Sequence, residues 1–161
     1  MLILNLKMSE ATQNKIEMAD LPGMVGKHLG YTEWQGMTQD RVNQFADVTD
    51  DHQYIHVDVE RAKQSPFGGT IAHGFLTLSL LAPITGELMQ VSDATTGVNY
   101  GLDRVRFPAP LPVGSEFRGG VEIAEVTEIP HGLQVKAKVT VEVKGAEKPS
   151  LVAESLIRLY K

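Results

Sequence analysis

Residues 70–89 read TIAHGFLTLSLLAPITGELM, and from Ile71 onward the apolar positions leave almost no polar face. Phe75, Leu76, Leu78, Leu80, Leu81, Ile84 and Leu88 lie at spacings that cover every side of a helix. Such a helix belongs inside a fold, not on its surface. Pro83 lacks the N–H that would bond the carbonyl of Ser79, so it should kink or shorten the element. The preceding SPFGG, residues 65–69, marks a loop.

The last third of the chain supplies the cover for that helix. In LQVKAKVTVEVK, residues 133–144, Leu133, Val135, Ala137, Val139, Val141 and Val143 alternate without a miss against polar or charged neighbours. That is a half-buried strand. EFRGGVEIAEV alternates through Phe117, Gly119, Val121 and Ile123, and SLVAESLIRLY and GVNYGLDRVRF read as two more strands. The turn signals PAPLPVG, EIPHG and KGAEKP separate them. Long antiparallel strands and one very apolar helix give an α+β domain, and the simplest packing wraps the sheet round the helix.

The chain of 161 residues suits a single domain over 1–161, with residues 1–26 read as a loosely packed lead-in. LPGMVGKHLG is expected to be loop and YTEWQGMT a first strand. TQDRVNQFADVTDD has Thr38 as a plain N-cap candidate, with Val42, Phe45 and Ala46 on one helical face. The net charge of −5 and the absence of a basic helix give no reason to expect nucleic acid or a membrane surface. With no cysteine, disulfides, thiolate catalysis and cysteine metal sites are excluded. No stretch has the length and apolarity of a secretory leader or a membrane span, so the cytoplasm is the expected compartment.

Chemistry concentrates in DVTDDHQYIHVD, Asp47 to Asp58. Asp51 and His56, five residues apart, could converge to hold and deprotonate water. Equally, the aspartates could merely cap or solvate a helix end. His52 and His56 form an H-x-x-x-H, which aligns two metal ligands only on a helix, and QYIHVD reads as extended. His73 and Gly74 open the apolar helix, where backbone N–H groups lack helical partners and the dipole is positive. Such a donor can stabilise an oxyanion. The bland alternative is a packing glycine beside a core histidine.

Thr49-Asp50-Asp51-His52-Gln53-Tyr54-Ile55-His56, followed by His73-Gly74, resembles the MaoC-like, (R)-specific enoyl-CoA hydratase family of hot-dog proteins. That family's signature runs approximately S/T-G-D-x-N-P-L/I-H, then a hydrophobic helix opened by H-G. DRVRFPAPLPVGSEFRG looks like its strand and turn after the helix, and the resemblance spans roughly residues 32–160. Three positions depart from it: Asp50 stands for glycine, Gln53 for asparagine and Tyr54 for proline. The resemblance implies a hot-dog homodimer that adds water reversibly to a trans-2-enoyl-CoA without a cofactor or metal. Asp51, His56 and Gly74 would be catalytic, with Gln53 and His73 at the substrate. Arg104 and Arg106, on the polar face of one strand, would either meet the acyl-CoA phosphates or be a solvated face. An acyl-CoA thioesterase and a non-catalytic acyl-binding subunit are the rival readings on this fold.

Overall fold

The computed structural model describes residues 15–161. Two short strands, β1 (His28–Tyr31) and β2 (Gln35–Gly36), precede helix α1 (Gln39–Thr49) and two single-turn helices, α2 (Tyr54–Val57) and α3 (Val59–Ala62). The apolar segment forms α4 (Gly74–Ser79) and α5 (Leu81–Leu88). Four long strands complete the chain: β3 (Thr96–Arg106), β4 (Glu116–Ile129), β5 (Gly132–Val143) and β6 (Leu151–Tyr160). One antiparallel sheet runs in the order β1-β4-β5-β6-β3, with β2 also on β4. Its concave face carries α4 and α5, the hot-dog arrangement that the resemblance implies.

The alternation on β5 is realised as expected: Val135, Ala137, Val139, Val141 and Val143 are buried. All but Val135 join Leu76, Leu80, Leu81 and Ile84 of the helix in the main core. Gly119 on β4 is there because a Cβ would run into the side chain of Ile84. The helix approaches the sheet so closely at this point that no side chain fits.

The apolar segment departs from the expected single buried helix in two ways. It breaks at Leu80, where Pro83 in the first turn of α5 withholds the bond to Ser79. One side of it is open in the single chain: Phe75 is 73% exposed, and Ala82, Pro83 and Gly86 are exposed as well. Along the edge strand β3, Val98, Tyr100 and Leu102 are also exposed. Apolar character therefore reports more surface than one chain covers.

The lead-in also differs. Its first 14 residues lie outside the described part. Residues 16–24, however, are packed: Ile16, Met18 and Leu21 are buried in a second core with Met89, Ile123, Val135 and Leu159. A 3-10 turn, Met18–Met24, carries two of them, around Pro22. The glycines and proline that suggest loop here shape a turn whose apolar side chains still face inward. YTEWQGMT forms only the end of β1 and the two residues of β2.

Candidate active site

Helix α1 begins as its sequence requires, with the Thr38 hydroxyl accepting the Arg41 N–H at 3.2 Å. It ends at Thr49 and delivers Asp50 in the left-handed conformation, φ 59°, ψ 20°. This is the position where the family signature has glycine, and the reason is now visible: the chain must reverse with positive φ. Aspartate is one of the few other residues that tolerates it. Tyr54, where the signature has proline, is the first residue of α2. Proline suits that position because the N–H there has no helical partner. Both departures keep the backbone path that the signature residues favour.

QYIHVD is not extended. Its β-branched and aromatic residues read as strand, yet Tyr54–Val57 form a helical turn, and the Asp58 side chain caps the next one by accepting the Arg61 N–H at 3.0 Å. The turn buries His56 against the segment before α4. The His56 Nδ1–H donates to the carbonyl of Ile71 at 2.7 Å, and the Ile71 N–H donates to the carbonyl of Ile55 at 3.0 Å. From the other side, the His73 Nε2–H donates to the backbone carbonyl of Asp51 at 2.9 Å. The two imidazoles stack with centroids 3.8 Å apart, and Phe45 closes the far side of His73 at 5.0 Å. One ligand atom from each of Asp51, His56 and His73 falls within 4.8 Å of the others.

A carbonyl can only accept, so each imidazole's proton is assigned. His56 carries its hydrogen on Nδ1 and has its lone pair on Nε2. His73 carries its hydrogen on Nε2, and its Nδ1 is buried with no partner among the described residues. Burial pushes the His56 imidazole below the ordinary value of 6.5. The bond to Ile71 and the Asp51 carboxylate oppose the shift, and the neighbouring His73 adds to it. The Asp51 carboxylate is exposed, and its Oδ1 accepts the Gln53 N–H at 3.4 Å. A carboxylate open to solvent thus stands beside a buried neutral base. The same three side chains are also a donor set that a divalent cation could use.

His73 is the residue before α4, and Gly74 is its first. The Gly74 N–H has no partner among the described residues, as its place in the first turn dictates. The Phe107 ring lies over it, 3.4 Å from where a Cβ would be.

Other candidates lie elsewhere. His52 is exposed and pairs with Asp47 at 2.9 Å, which raises its pKa, so the H-x-x-x-H pair does not form. Arg104 and Arg106 do not join the cluster. They stand opposite Glu154 and Val152 on β6, on the face of the sheet turned away from the helix. Gln53 is exposed near Asp51. Gln39 had no signal in the sequence. Its Nε2–H donates to the His56 carbonyl at 2.7 Å, and its Oε1 accepts the Thr70 hydroxyl at 2.6 Å, so it ties α1 to both halves of the site.

The family described as MaoC like domain matches residues 20–145. The 3-hydroxyacyl-thioester dehydratase Z of Mycobacterium tuberculosis (strain CDC 1551 / Oshkosh) is 48% identical over 142 residues, 88% of this chain and 94% of that protein. Nodulation protein N of Rhizobium leguminosarum bv. viciae is 46% identical over 143 residues, 87% of this chain and 89% of that protein. Among solved structures, the unliganded R-hydratase PhaJ1 from Pseudomonas aeruginosa superposes with a TM-score of 0.70 at 22% identity, covering 91% of this chain and 87% of that one. At that identity the likeness is one of fold.

Proposed function

The chain belongs to the MaoC like domain family, and from that premise we propose that it is an (R)-specific enoyl-CoA hydratase. It adds water reversibly to a trans-2-enoyl-CoA to give an (R)-3-hydroxyacyl-CoA. The observation that carries this reading is the buried, neutral His56, its lone pair on Nε2, beside the open carboxylate of Asp51. The 3-hydroxyacyl-thioester dehydratase named above supports it, since dehydration is the same reaction run backwards.

The chemistry follows from the placement. Water held between Asp51 and His56 forms its C–O bond at C3 as the dyad takes one of its protons. The C2–C3 double bond opens, charge gathers on the thioester oxygen, and the Gly74 N–H receives it. A proton then returns from the dyad to C2. Hydroxyl and hydrogen arrive from the one face that the dyad occupies, so the addition is syn. No cofactor takes part. A cavity of about 280 Å³ between α5, β3 and β6 would take the acyl chain, since its lining is mainly apolar: Leu81, Ala82, Met89, Ile157 and Leu159. A second copy of the chain covers Phe75 and the edge of β3, because an open apolar edge strand pairs readily.

The test is purified protein with crotonyl-CoA, following enoyl absorbance and free thiol together, with and without EDTA, and resolving the product's stereochemistry. The expected result is loss of absorbance without thiol, an (R) product and no effect of EDTA. Thiol release would make the protein a thioesterase instead. Binding without turnover would make it an acyl-binding subunit.

A further inference from the structure

The inner face of β6 reads Leu151, Ala153, Ser155, Ile157, Leu159, and the serine is out of place there. Ser155 is 4% exposed and sits opposite Ala137 on β5 and Leu102 on β3. The other buried hydroxyls are all committed. Thr77 and Thr85 donate back to the carbonyls of His73 and Leu81, Ser150 to Val141, Thr32 to Glu33, and Thr70 to Gln39. Among the described residues the Ser155 hydroxyl has no partner. Ser155 lines the cavity beside α5, and its hydroxyl is open to it. Asn99, exposed on β3, borders the same cavity.

Space alone does not explain the residue. Ala137 and Ala153 leave as much room on the same face with no polar atom. Facing the cavity, the hydroxyl can meet water while the cavity is open, but an apolar occupant would strip that water and leave the serine unpaired, a cost that alanine avoids. An occupant with an oxygen at that point would avoid the cost, since Ser155 could donate to it or accept from it.

We infer that this cavity takes an acyl chain bearing a hydrogen-bonding oxygen, a hydroxyl or keto group beyond the reacting carbons, and that Ser155 is the specificity-determining residue that meets it. The inference rests on the hydratase reading for the identity of the acyl thioester. An unsubstituted chain leaves the serine unpaired, and the site discriminates against it for that reason.

The test is equilibrium binding by calorimetry, using saturated octanoyl-CoA and a series of octanoyl-CoA thioesters with one hydroxyl or keto group at successive carbons past the third. None of these compounds has a 2,3-double bond or a 3-hydroxyl, so none can be hydrated or dehydrated and the comparison does not depend on that turnover. One position in the series should bind about threefold to tenfold tighter than octanoyl-CoA, the range of one net hydrogen bond. Ser155→Ala should erase that preference, chiefly by losing affinity for the oxygenated chain, and should melt no lower than the wild-type protein. Equal affinity across the series for the wild-type protein, binding of none of the compounds, or a preference that survives Ser155→Ala would each overturn the inference. Crotonyl-CoA hydration, run alongside, judges the proposed reaction separately. A protein inactive on crotonyl-CoA that still shows the Ser155-dependent preference refutes the reaction and supports the site.

Discussion

His73 offers the sharpest probe of how the site is held. Its Nε2–H reaches the Asp51 carbonyl at 2.9 Å and its ring stacks 3.8 Å from that of His56, so one residue fixes both members of the dyad. His73→Ala removes the tether and leaves a void, since the residue is 2% exposed. The lost bond and ring together should cost about 3 kcal/mol, and at this chain length that lowers Tm by roughly 6–12 °C. The effect on rate should be separate and larger. Freed of the tether, the loop carrying Asp51 can drift, and a displacement near 1 Å costs about 10²-fold in rate. His73→Gln places an amide N–H near the position of Nε2 and should recover much of the rate while giving up the stacked ring. The assay is steady-state hydration of crotonyl-CoA beside a thermal melt for each variant. In the alanine variant kcat should fall and KM change little. A folded His73→Ala with wild-type kcat would refute the positioning role, and a glutamine variant as slow as alanine would show that the ring matters, not the hydrogen bond.

Further outcomes are expected. Asp51→Asn and His56→Ala should each keep the fold and lose about 10²–10⁴ in hydration rate, whereas His52→Ala and, in the turn between β4 and β5, His131→Ala should be mild; a critical His52 would show that the dyad is misassigned. Hydration should gain activity as pH rises through an inflection below 6.5, because burial lowers the His56 pKa and only the neutral ring has a lone pair on Nε2. The same shift predicts that stability is complete above the ordinary value near 6.5 and is lost as pH falls toward and through the depressed folded value, because the unfolded chain then binds the extra proton; urea titrations that show no slope in that window, or a slope unchanged in His56→Gln, would contradict it. Gly74→Ala should be tolerated in the fold, since its Cβ meets the Phe107 ring at 3.4 Å, while Gly74→Val should collapse turnover with little change in Tm; full activity of the valine variant would exclude substrate from Gly74. Asp50→Gly should relieve the positive φ and stabilise by about 0.5–1 kcal/mol, seen as a small rise in Tm with activity unchanged.

The sheet and its central helix were legible because periodicity reports burial directly. β5 alternates along nearly its whole length, and the segment from Ile71 carries more apolar surface than any exposed helix would. The same signal misled where burial was incomplete: Phe75 looks like core but is exposed in the single chain, since apolar character does not say which molecule covers it. Thr38 and the helix it caps were readable from local chemistry alone. Tyr54–Val57 were not, because one helical turn is fixed by tertiary bonds such as His56 to Ile71 and not by propensity. Asp51, His56, His73 and Gly74 could be named from residue type and spacing, with the resemblance choosing between the readings. Gln39 could not, because a glutamine at the start of a helix has no pattern that marks its 2.7 Å reach to the His56 carbonyl.

The two halves of the site are stitched together by three crossed hydrogen bonds. His56 bonds the Ile71 carbonyl, His73 bonds the Asp51 carbonyl, and the Ile71 N–H bonds the Ile55 carbonyl, so each side chain grips the other segment's main chain. Main-chain carbonyls survive any substitution. The clasp therefore closes whatever the intervening excursion contains, and residues 63–69, with Phe67 exposed and Gly68 at φ 71°, carry none of its bonds. That makes the excursion a natural port for engineering. A reporter peptide or a small folded module inserted there would emerge next to the site while leaving its geometry intact.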